Sequence, residues 1–331
     1  MIDARRAGLV LAISLAVLPR AQGTEPALSL PSLERCGTLE SRDAAAGSPR
    51  LWSLQEGPAD CDGSSTAPPR TFIPMPLVTI PVVVHVIMDS ACAQGVVSDA
   101  LVHSQIDVLN EDYRALPGSH GGPGRDSHIQ FALATEDPGG NPTTGITRDC
   151  NTTWFNDQGS YWDTLAWDPH RYMNIYTNTA NGARGYVPFL PADGGGSMVG
   201  TNADRVVINF LAFGRPGPTP PYDNGRTTTH ETGHFFGLYH PYLNACGTPT
   251  APGCLSTGDL ICDTPPDDTS HHGCATGQTS CGGFPIPAWD YMELSDDLCM
   301  TGFTSNQGRR MRCTLTWYRT DLAQPARGAA R

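Results

Sequence analysis

Residues 77–88 form a run rich in β-branched side chains, which predicts a buried strand. The period then changes. From Ser98 onward, Val102, Ile106, Leu109 and Tyr113 recur at spacings of four, three and four, one face of an α-helix. Alternation returns at Ile129, Phe131 and Leu133, at Met173 and Ile175, and at Val206, Ile208 and Phe210, predicting further strands. A second helix is expected over residues 229–236. A third is signalled by Thr304 with Gln307 three residues on, a capping-box pattern, followed by Met311 and Leu315 on one face. Between these helices lies a long Cys-, Gly- and Pro-rich stretch with little periodicity, where cross-links are expected to replace a core.

The chain has 331 residues, which suits one main core. Arg5 and Arg6, the apolar residues 7–18 and the small-residue exit Ala21-Gln22-Gly23 mark residues 1–23 as a signal peptide, too short to persist as a membrane anchor. Residues 24–70 are rich in Pro, Ser, Gly and Ala without an apolar period, as expected of a loosely structured pro-segment. Residues 71–320 would then be the main folded domain and 321–331 a C-terminal tail. Export to the extracellular space follows, with no membrane partner. The eleven cysteines fit disulfides in an oxidising compartment, and the odd count leaves at least one thiol unpaired. A net charge of -12 without a basic patch excludes a nucleic-acid partner.

The chemistry is concentrated in His230 to His240, HETGHFFGLYH. Histidines four apart stack on one helical face, so His230 and His234 can share a cation. Glu231, about 100° further round the helix, falls beside that cation and within reach of a water on it. Gly237 can end the helix in a left-handed conformation and return His240 as a third ligand. Three protein ligands leave a fourth position open, the arrangement of a catalytic zinc. The fixed positions would recur by chance on the order of once in 10⁵ such chains. His85, His103, His120, His128, His170, His271 and His272 match no ligand spacing and are expected to be surface or satisfied core histidines.

Together with Gly258-Asp259, Asp263-Thr264-Pro265, the surrounding cysteines and DYMELSDDLCMTGFTSNQGRRM from Asp290, the motif resembles the metzincin metallopeptidases, and within them the pappalysin-like family. The resemblance implies an α+β, metzincin-type catalytic domain: a twisted, mostly parallel five-stranded sheet with an active-site helix, plus an irregular disulfide-rich C-terminal subdomain. It implies that Met292 supports the zinc ligands from below, and that Asp259 and Thr264 hold calcium. It also implies disulfides from Cys274 to Cys299 and from Cys254 (or Cys246) to Cys281. Leu294 departs from the family, standing where related sequences carry a tyrosine that helps hold the oxyanion. Loss of one such donor costs about 10²- to 10³-fold in rate.

The expected function is therefore a secreted zinc-dependent endopeptidase that hydrolyses internal bonds of protein or peptide substrates, with Glu231 as general base. The substrate would add as a strand near Gly185 to Phe189. Leu294, Leu298 and Met300 predict an apolar pocket just beyond the cut, unless Asp296 or Asp297 turns inward. The competing expectation is an exported zinc-containing binding or adhesion module with lost or weak catalysis. Arg35-Cys36-Gly37-Thr38 resembles a short cysteine-switch motif, so Cys36 is expected to ligate the zinc of a latent form, a disulfide to Cys61 being the alternative.

Overall fold

The structure, a computed structural model, describes residues 33–40, 61, 76–191, 198–250, 253–255, 257–322 and 324–325. The expected signal peptide, most of the expected pro-segment and the Arg70-Thr71 boundary lie outside these residues.

The β-branched run becomes strand β1 (Val78–Met88), buried along almost its whole length because it is the hub of the sheet. Helix α1 (Asp99–Tyr113) follows, capped by the Ser98 side chain on Leu101 N, and it buries Val102, Ile106, Leu109 and Tyr113 as their spacing requires. Strands β2 (Ile129–Leu133) and β3 (Ile146–Cys150) pair parallel with the first and second halves of β1. After short helical turns at Thr152–Phe155 and Tyr161–Leu165 come β4 (Met173–Asn178), β5 (Gly185–Tyr186) and β6 (Val206–Asn209). The main path runs β2-β1-β4-β6-β5, and within it β5 alone is antiparallel. The sheet is mostly parallel, as expected, but seven-stranded rather than five, because β3 and a short C-terminal strand also pair with β1.

Helix α2 (Arg226–Phe235) packs beneath it and starts earlier than the pattern suggested, while Phe210 leaves its strand for a 3-10 turn. A small hairpin, β7 (Thr279–Ser280) and β8 (Phe284–Pro285), precedes α3 (Ser305–Trp317), whose N-terminus carries the expected capping box of Thr304 and Gln307. The segment expected to be a tail begins inside the domain. Leu322 is buried and β9 (Gln324–Pro325) pairs antiparallel with the start of β1, so the domain boundary at residue 320 falls too early.

Five disulfides join Cys61–Cys313, Cys92–Cys150, Cys246–Cys281, Cys254–Cys262 and Cys274–Cys299, leaving Cys36 free. The expected pairing of Cys254 with Cys281 is thus corrected. Cys254 lies in the 3-10 turn Gly253–Leu255, eight positions before Cys262, and the bracketed alternative Cys246 takes Cys281. Neither does Cys36 pair with Cys61.

His85 is the satisfied core histidine that its lack of ligand spacing implied. Its ring stacks on Tyr176 at 4.5 Å, and its nitrogens lie 2.8 Å from Thr147 Oγ1 and 3.0 Å from Asn174 Oδ1. Burial lowers its pKa to about 4. Below about pH 6.5 the unfolded chain binds a proton that the fold refuses until about pH 4, so stability falls with acidification across that window. The expected contribution is on the order of 3 kcal/mol. Urea unfolding of wild type and His85→Gln between pH 7 and 4 checks this, the variant showing a flatter profile.

Candidate metal centre

The orientation of α2 is fixed from three sides. Asp112, at the end of α1, pairs with Arg226 at 3.1 Å and accepts from Thr229 Oγ1 at 2.7 Å and Tyr291 Oη at 2.7 Å, all buried. One carboxylate thereby ties the helix to the segment preceding Met292. Asp297 Oδ2 accepts the backbone N–H groups of Asn224 and Arg226, placing negative charge at the helix N-terminus. Along the helix, a Cβ at Gly233 would collide with Met292 Sδ, so glycine here lets the methionine pack directly beneath the histidine-bearing turn. At its end, Gly237 adopts φ +87° and redirects the chain to His240.

Each histidine has its Nδ1 against an oxygen: His230 on Tyr291 O at 2.7 Å, His234 on Leu238 O at 2.8 Å, and His240 on Glu40 Oε2 at 2.8 Å. These oxygens accept, so the ring proton of each neutral imidazole resides on Nδ1. The three Nε2 atoms then present lone pairs to one another at 3.1 to 3.2 Å. Such convergence is repulsive unless a cation lies between them. Burial and the neighbouring imidazoles push His230 well below its ordinary pKa and His234 down to about 3, which keeps both neutral, as metal ligands must be.

Cys36 Sγ completes the cluster at 3.6 Å from His234 Nε2. Tetrahedral zinc, with bonds of about 2.0–2.1 Å to nitrogen and about 2.3 Å to sulfur, would set nitrogens about 3.3 Å apart and sulfur about 3.5 Å from nitrogen. The donor set fits that ion. Glu231 lies alongside, fully buried; its Oε2 accepts from Thr38 Oγ1 at 2.8 Å, Oε1 has no hydrogen-bond partner, and burial raises its pKa to about 7.

Residues 33–40 lie along the edge strand where substrate was expected. Glu34 bridges parallel to Ala183, Gly37 N donates to Gly185 O at 2.8 Å, and Val187 N donates to Thr38 Oγ1 at 2.9 Å. Arg35 enters a pocket beside the histidines. Its guanidinium pairs with Asp297 at 2.8 Å, donates to Thr227 Oγ1 at 2.7 Å, touches Met300 Sδ at 3.3 Å and covers the Tyr222 ring. The pocket expected to be apolar is therefore acidic at its base, because Asp297 turns inward while Leu298 points to solvent.

Arg35 and Thr38 belong to the Cys36 motif but were given no role of their own, and Glu40, two residues beyond it, was not singled out from the sequence. Tyr242, also unanticipated, stacks on His240 at 4.8 Å. Tyr291 is bound to Asp112, away from the histidines, and Leu294 is buried without a polar atom to offer. Asp259 and Thr264, both buried, come together with the Thr264 hydroxyl against the Asp259 carboxyl.

A mostly parallel sheet with a histidine-bearing helix under its antiparallel edge defines a metallopeptidase of the metzincin type. Residues 147–316 match peptidase family M43, described as pregnancy-associated plasma protein-A, and the chain belongs to that family. It is 30% identical over 306 residues to extracellular metalloprotease 1 of Coccidioides posadasii, covering 90% of this chain and 95% of that protein. The fold is similar to a mutant of Tannerella forsythia promirolysin, with TM-score 0.66, 29% identity and coverage of 88% of this chain and 97% of that one. It is also similar to mature mirolysin of the same organism in complex with a cleaved peptide, with TM-score 0.59, 32% identity and coverage of 76% and 100%. The protein is an extracellular metalloprotease made as a latent precursor.

Proposed function

We propose that His230, His234 and His240 hold a catalytic zinc and that Glu231 is the general base for hydrolysis of internal peptide bonds. The observation that carries this reading is the convergence of three Nε2 lone pairs whose Nδ1 protons are all engaged elsewhere. Zinc held there supplies Lewis-acid polarisation of the scissile carbonyl and of the attacking water. Glu231 accepts the water proton and delivers it to the leaving amine, and its raised pKa suits both halves of that transfer. The edge β5 aligns the substrate backbone. Gly185 belongs there because a Cβ would come within 2.7 Å of Glu231 Cγ. With Leu294 lacking a hydroxyl, Tyr242 on the His240 side is our candidate donor to the oxyanion.

Cys36 is the fourth ligand of the latent form, and Arg35 stands in for the side chain just after the cut. That pocket accordingly selects arginine or lysine. The buried oxygens of Asp259 and Thr264, brought side by side, favour calcium as a hard cation held by both. Mature enzyme given an unfolded protein should cut before basic residues and stop when a chelator removes the zinc. Replacing arginine after the cut with leucine leaves Asp297 buried and unpaired, so kcat/KM should fall on the order of 10²- to 10³-fold. Cleavage mapped predominantly before apolar residues would overturn the pocket assignment, and full activity in metal-free enzyme would overturn the mechanism.

A further inference from the structure

A second set of ligating side chains lies apart from the histidines, where the loop after Pro266 meets the segment after Met292. Asp267, Asp268 and His271 bring one ligand atom each within 4.8 Å of one another. Asp267 is wholly buried: its Oδ1 accepts from Asp268 N at 2.8 Å and meets His271 Nε2 at 2.9 Å, while its Oδ2 has no partner. Glu293 comes into the same place from the other segment and is equally buried. Its Oε1 accepts from His271 N at 3.1 Å and Leu294 N at 2.8 Å, and Oε2 has no partner.

The Asp267 and Glu293 carboxyls thus approach within hydrogen-bonding range of each other, while Asp267 Oδ2 and Glu293 Oε2 meet no other hydrogen-bonding group. Among the described residues His271 is the ion-pair partner of Asp267. Burial and Asp267 raise the Glu293 pKa well above its ordinary value. Two carboxyls so placed require a positive charge or a proton between them. A cleft of about 310 Å³, walled by Tyr242, Asn244 and Asp268, opens beside the cluster and gives access from solvent.

We infer that Asp267, Glu293, Asp268 and His271 form a second divalent-cation site, distinct from the histidine centre. Carboxylate oxygens with one imidazole suit manganese or zinc, whereas calcium asks for six to eight oxygens. The ion satisfies the free Asp267 and Glu293 oxygens. His271 ligates through Nε2 with its ring proton on Nδ1, giving up its hydrogen bond to Asp267. Asp268, exposed and held by Ser280 Oγ at 2.8 Å, closes the solvent side. The site joins the disulfide-rich loop to the turn beneath the active-site helix, so the ion would brace Met292 through its neighbour Glu293. This inference does not rest on the identity of the metal at the histidines.

Metal content of the full-length precursor, equilibrated separately with manganese, zinc and calcium and then freed of loose ions, tests it. Asp267→Asn and Glu293→Gln should each carry one ion fewer per chain than wild type after manganese or zinc loading. Manganese should raise the wild-type melting temperature by about 5 °C and leave those variants unmoved. His271→Asn, at a partly exposed position, should fold whether or not the buried substitutions do, and should bind manganese at least tenfold more weakly. Equal ion counts in wild type and His271→Asn for every metal would show that Asp267 and Glu293 share a proton instead. A difference seen with calcium alone would overturn the manganese or zinc assignment.

Discussion

Glu231→Ala in the mature enzyme should keep its catalytic metal and its fold while losing peptidase activity on the order of 10⁴-fold. The three histidines supply the converging nitrogens, and Glu231 contributes no atom to that cluster. In the precursor its side chain is buried beside it, with one oxygen unpartnered and the other on the Thr38 hydroxyl, which leaves with the pro-segment. Removing Glu231 deletes the proton carrier and leaves the ligand set untouched. Metal analysis and unfolding of the purified variant, alongside its cleavage rate, check all three expectations. Loss of the metal would make Glu231 part of the binding site, and retained turnover would remove it from the reaction.

How much of this was legible in the sequence depends on the distance over which each feature is determined. The histidine motif reads directly because three of its positions lie within two turns of one helix and Gly237 announces the turn that returns the fourth. Helix α1 and strands β1, β2, β4 and β6 were visible for the same reason: their period is local. Strand β3 was missed because Ile146–Cys150 mixes an isoleucine with Thr, Arg and Asp and is only half covered, its place being set by the far end of β1. Cysteine pairing lies between these cases. Cys274–Cys299 followed the family resemblance, whereas the choice between Cys246 and Cys254 depends on how a loop folds back. The inward turn of Asp297 over Asp296 could not be read from two adjacent acids. It is decided by the N-terminus of α2 and by Arg35, both distant in the chain. Glu40 was illegible alone because its partner, His240, lies 200 positions away.

The same long-range contacts shape the second large effect, the loss of latency in Cys36→Ala. The latent form is held by four groups acting together: Cys36 on the histidine cluster, Arg35 on Asp297, Thr38 on Glu231 and Glu40 on His240. Removing the thiol opens the fourth position to water and takes away one of the four holds that keep the strap on the edge strand. Cys36→Ala precursor should therefore show activity as soon as it folds, at least 10²-fold above wild-type precursor, or process itself. Adding Glu40→Gln should raise the activity further, because the clamp on His240 loses its charge. Release of the strap has a covalent condition. Cys61 is bonded to Cys313, so a cut after Cys61 leaves residues 33–40 tethered to α3 until the disulfide is reduced. A productive cut accordingly falls between Glu40 and Cys61, earlier than the Arg70-Thr71 boundary that composition suggested. Non-reducing and reducing gels of the activated enzyme distinguish the two. A cut before Cys61 frees the fragment under both conditions, and a cut after it frees the fragment only with reductant. Equal silence of wild-type and Cys36→Ala precursors would mean that the thiol is not what closes the metal site.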